Sequence, residues 1–64
     1  MELANKLVQV VRPTVENSFA QGVVGMALPA IGGSDQYYLI PDDKEDLDKV
    51  EGVLFSQEEL EPLP

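Results

Sequence analysis

Six carboxylates fall within ten consecutive residues: Asp42, Asp43, Glu45, Asp46, Asp48 and Glu51, with Lys44 and Lys49 between them. Three kinds of chemistry use carboxylates at this density. A calcium loop of the EF-hand type needs oxygen ligands at its first, third and fifth positions and a glycine at the sixth. Counted from Asp42, the third position is Lys44 and the sixth Leu47; counted from Asp43, the fifth is Leu47 and the sixth Asp48. Neither register fits a metal loop. A general acid/base pair needs two carboxyls whose environments separate their pKa values, usually through burial of one beside apolar groups. The run reads as solvated, so no such pair is expected. Two readings remain: a solvated turn whose charge keeps a small protein soluble, or negative charge presented to a partner, in which Glu58, Glu59 and Glu61 would join. Tyr37 and Tyr38 precede the run. On a strand they point to opposite faces, one into the core and the other outward as an aromatic contact residue.

Composition narrows the field further. The chain has 64 residues without cysteine or histidine. Thiolate zinc sites, a cysteine nucleophile and the usual neutral-pH proton shuttle are therefore excluded. A chain this short fills a small core with its own side chains, and no enzyme activity and no cofactor are expected. Gly32-Gly33-Ser34 lacks the lysine that a phosphate-binding loop requires, so it reads as a turn between strands.

Charge is unevenly distributed. Residues 1–32 carry Glu2 and Glu16 against Lys6 and Arg12, which cancel; residues 33–64 carry ten acids against Lys44 and Lys49, which accounts for the whole net charge of −8. Binding to a phosphate backbone needs lysine and arginine to displace counterions, so direct nucleic-acid binding is not expected. An anionic membrane surface is disfavoured for the same reason. No targeting segment or apolar run of about 18 residues is visible, which leads to the expectation of a cytoplasmic protein.

The elements that must position these groups are mostly strands. Leu7 to Pro13 ("LVQVVRP") has three valines in four residues and reads as a strand, although Leu3, Leu7, Val10 and Val11 also fit one helical face, and residues 2–6 could form a helical turn. Gly22 to Pro29 is the second strand candidate, in which Gly25 marks a bulge or the close approach of another backbone. Gln36 to Pro41 is the third and Gly52 to Phe55 the fourth. Between the last two, Asp42-Asp43 could cap a short helix with Leu47 and Val50 facing inward, or the segment could equally be an irregular loop. Ser56 and Glu59 have the spacing of a capping box for one helical turn, and a brief final strand follows.

This order resembles that of small SH3-like β-barrel proteins of bacteria and their phages. "LVQVVRP", "GVVGMAL", "YYLIPDD" and "GVLFSQEELEPL" match its rhythm, with Gly22, Val24 and Ala27 in the second strand and Leu54, Phe55 and Leu60 around the closing turn. The resemblance spans about residues 6–62 and departs at the inserted "KEDLDKVE". It implies a mostly β fold, a small SH3-like β-barrel of four to five short antiparallel strands closed by a 3-10 or short helical turn. It also implies an adaptor-like role.

The sequence therefore predicts a single domain and a non-enzymatic, protein-binding regulator, phage-encoded by resemblance and size. Its expected target is a basic surface on a host nucleic-acid-handling machine such as RNA polymerase or a nuclease. The predicted contact residues are Tyr37, Tyr38, Asp42, Asp43, Glu45, Asp46, Asp48, Glu51, Glu58 and Glu59. The competing expectation is a constitutive accessory subunit of a larger complex, held by apolar contacts.

Overall fold

The computed structural model describes residues 3–31 and 35–64. It is mostly β: five antiparallel strands, β1 (Leu7–Val10), β2 (Val24–Pro29), β3 (Gln36–Pro41), β4 (Phe55–Ser56) and β5 (Leu60–Pro62), form one sheet in the order β4-β3-β2-β1-β5. A four-residue helix, α1 (Leu47–Val50), and 3-10 turns at Ser18–Ala20, Lys44–Asp46 and Gln57–Glu59 complete the described elements. The expected turn at Gly32–Ser34 lies outside the described residues.

Strand order and chain connection together force the sheet to curl. β4 and β5 are its two edges, and in a flat sheet they would lie four spacings, about 19 Å, apart. Only the 3-10 turn Gln57–Glu59 joins them, and at about 2 Å rise per residue it spans less than half that distance. The sheet therefore wraps until its edges approach, as expected of a small barrel. Backbone bonds hold this turn against the end of β1: the amides of Val11 and Arg12 both donate to the Glu59 carbonyl.

The core lies inside the curl. Alternation directs Val8 and Val10 of β1, Ala27 of β2, Tyr37 and Leu39 of β3, Phe55 of β4 and Leu60 of β5 inward, where Leu3, Ala20, Val23 and Val50 join them. Gly25 belongs to the same inward row, and the expected close approach is present. A Cβ there would collide with the Ile40 carbonyl oxygen and come within 2.8 Å of the Pro41 Cα. The absent side chain is what lets β3 cross close to β2 at this point.

Several boundaries differ from the sequence reading. β1 stops at Val10 because the next two amides turn to Glu59. Residues 3–6 form a tight turn closed by Lys6 N–H donating to the Leu3 carbonyl, with Asn5 at φ 64°, a left-handed conformation that asparagine tolerates. β4 covers only Phe55–Ser56. Gly52, at φ 73°, and a bond from Val53 N–H to the Val50 carbonyl prolong the turn after α1, leaving Gly52–Leu54 unpaired as strand. Val50 packs in the core as expected, but Leu47, the first residue of α1, is 45% exposed.

Candidate partner-binding surface

The acidic connection between β3 and β4 is capped at its start and held on the sheet by α1. Asp43 has extended backbone geometry and its carboxylate accepts from the Glu45 amide at 3.0 Å, capping the 3-10 turn that runs into α1. The inward anchor of α1 is Val50, which packs with α1 against β3. Asp42, Asp43, Glu45, Asp48 and Glu51 are exposed, and Asp46 is half-buried. Among the described residues one ion pair occurs, Lys49 to Asp46 at 3.3 Å, one helical turn apart. The remaining carboxylates of the run have no cationic partner among the described residues, and no set of three acidic side chains there converges as metal ligands.

Two of the expected contact residues are elsewhere. Tyr37 is 5% exposed and belongs to the core, where its hydroxyl accepts from the Leu3 amide at 3.3 Å; Tyr38, on the opposite face, is the exposed member of the pair. Glu59 is 4% exposed. Each of its carboxylate oxygens accepts two hydrogen bonds. Oε1 takes the Thr14 amide and the Asn17 side-chain amide, both at 3.0 Å, and Oε2 takes the Ser56 amide at 2.7 Å and the Ser56 hydroxyl at 3.1 Å. Burial by itself pushes this carboxyl upward. The bonds from Ser56, Thr14 and Asn17 outweigh it and hold the group below the ordinary glutamate value of 4.5. Glu59 is thus a structural clamp, buried where the sequence suggested an exposed contact residue. The capping box expected from Ser56 and Glu59 is present, but the same carboxylate also reaches across the chain to residues 14–17. Glu58 is exposed and lines a groove of about 440 Å³ with Arg12, Leu60, Glu61 and Pro62, at the β1–β5 seam.

Strand register reveals a surface that sequence reasoning did not single out. Leu7 pairs with Met26, and Met26 with Ile40; all three point outward and are 40%, 43% and 53% exposed. On the far side of Leu7 lies Leu63, whose amide donates to the Leu7 carbonyl. An apolar row thus crosses four strand positions on the outer face. Leu28 and Tyr38, themselves paired, stand beside it in the next row. The row on its other side runs Glu61, Gln9, Val24, Asp42, by the pairings of Gln9 with Glu61 and Val24 and the Asp42 amide bond to the Val24 carbonyl. A signal for this face exists in the sequence. "MAL" and "YYLI" are apolar at both parities, whereas a strand with one solvated face alternates apolar with polar.

Comparison with protein-family models, with curated proteins and with solved structures returns no match. Among the described residues no helix is long and apolar enough to cross a membrane.

Proposed function

We propose that this chain is a small non-enzymatic regulator that acts by binding a protein with a basic surface. The observation that carries this reading is the exposure of most carboxylates of residues 42–51 on a capped, core-anchored connection with a single ion pair among the described residues. Complementary potentials of this kind speed encounter and fix orientation. Basic grooves are typical of nucleic-acid-handling machines, so RNA polymerases and nucleases are the partner class. A phage-encoded inhibitor of such a host enzyme is the setting that size and charge suit.

The test measures binding to purified bacterial RNA polymerase and to a panel of bacterial nucleases. Binding should weaken steeply as salt rises from about 0.1 to 0.5 M, where the screening length contracts to a few ångströms. It should be lost in a variant carrying Asp43→Lys, Glu45→Lys and Asp46→Lys. Because Asp43 also caps the turn, Asp48→Lys with Glu51→Lys serves as a second variant that leaves the cap intact. Absence of binding to every basic target would overturn the proposal.

The exposed apolar row favours a second reading, an accessory subunit of a larger complex held by apolar burial. Binding in that case would change little over the same salt range and in the charge-reversed variants.

A further inference from the structure

We propose that the outer face of β1, β2 and β3 is the docking surface. It receives a segment of a partner protein that places apolar side chains on Leu7, Met26 and Ile40 and lysine or arginine beside Asp42 and Glu61. This rests on the reading of a basic partner and specifies where and how that partner is held.

Apolar side chains at mid-strand on the solvent face are unfavourable unless something covers them. Here they are contiguous. Leu7, Met26 and Ile40 are direct cross-strand neighbours, and the paired Leu28 and Tyr38 widen the patch in the direction of Asp35. Tyr38 adds an aromatic body with a polar tip, a combination enriched where proteins meet. On the inner side of the same strands, Val8, Ala27 and Leu39 fill the core, and the outer row lies outside that cluster.

Charge decides what covers the face. Asp42 and Glu61 stand at the two ends of the row next to the apolar one, with Gln9 and Val24 between them around the curl of the sheet. Asp42 and Glu61 thus border the apolar row on this side, and the contact has the anatomy of an apolar centre with a charged rim. A second copy of this chain would bring like-charged rims together at a net charge of −8 per molecule, so self-association through this face is opposed. A phosphate backbone is repelled for the same reason. A protein segment combining apolar anchors with cations satisfies both the row and its rim.

The experiment selects binders from a random-sequence peptide display library on the wild-type protein at physiological salt. The enriched peptides are then synthesised and their contacts mapped by NMR shift changes. Expected are peptides that combine apolar residues with lysine or arginine and perturb Leu7, Met26, Ile40 and Tyr38. Their affinity should fall about tenfold or more in Met26→Glu and in Ile40→Ser, the scale of loss on removing an interface anchor. Both positions are exposed, and circular dichroism melting checks that each variant remains folded.

Peptides rich in lysine and arginine alone, unaffected by Met26→Glu, would overturn this docking surface while leaving the basic-partner reading in place. Apolar peptides without cations, or no enrichment, would overturn both. A stable wild-type dimer in sedimentation that Met26→Glu dissociates would show the face to be a self-interface and also overturn the inference.

Discussion

Two sets of carboxylates in this molecule share a chemistry and differ in every physical consequence. Glu59 lies within the seam between β4, β5 and the Thr14–Asn17 loop, with four donors on its two oxygens. The carboxylates of residues 42–51 stand on the surface with one cap bond and one ion pair. A buried charge is tolerable only when its hydrogen-bonding capacity is filled, and once filled, its donors depend on it. An exposed charge is solvated by water and leaves little behind when removed. The difference teaches that acidity in this chain meets two environments: Glu59 is buried and holds the fold, and most carboxylates of residues 42–51 are solvated.

The comparison is broken most directly at Glu59. Glu59→Ala leaves two backbone amides, the Asn17 side chain and the Ser56 hydroxyl without their acceptor. The expected loss is about 3 kcal/mol, within the range for deleting one partner of a buried charged network. That is a large part of the stability available to a 64-residue domain. Urea titration followed by circular dichroism measures it; a loss below about 1 kcal/mol would mean that the clamp is not a principal support.

Acid provides the next test. Since the folded state holds the Glu59 carboxyl below 4.5, the unfolded chain binds the proton more readily, and stability rises with pH across that interval. This contribution is complete above about 4.5 and is lost as pH falls through the folded value. Glu59→Gln removes the titrating group, so the dependence of stability on pH below 4.5 should be shallower than in the wild type. Parallel melts of the two proteins at successive pH values check this, and equal slopes would contradict it.

Smaller effects are expected in the run 42–51. Asp43→Ala removes the side-chain acceptor from the Glu45 amide and should cost about 1 kcal/mol, typical of a lost cap. Asp43→Asn, which keeps an acceptor, should recover most of it. Least is expected from Lys49→Ala, which breaks the exposed pair with Asp46 and should change stability by about 0.5 kcal/mol or less. A loss there comparable to that of Glu59→Ala would erase the distinction between the two sets.

Much of the fold is legible along the chain. β3 was expected over Gln36–Pro41 and has those bounds, because six residues rich in aromatic and branched side chains end at a proline that cannot extend the ladder. The Ser56–Glu59 box and the close approach at Gly25 are equally local features, written in residue type and spacing. Gly52–Leu54 was harder to read, since its apolar content suggests a strand while the left-handed Gly52 ends α1. The site was less legible than the fold. Tyr38 and the exposed carboxylates of the run could be named in advance, but alternation alone does not say which tyrosine is core.

Composition and spacing by themselves determined the β-rich architecture, the concentration of negative charge in the second half and the lack of thiol and imidazole chemistry. These depend on residue identity and on neighbours within a few positions. Tertiary structure alone decided which glutamate is buried and which apolar side chains remain outside. The donors to Glu59 include Thr14 and Asn17, more than 40 residues away in sequence. The row of Leu7, Met26 and Ile40 exists only once three strands are in register. Both are products of chain closure, which brings together groups that no local pattern relates.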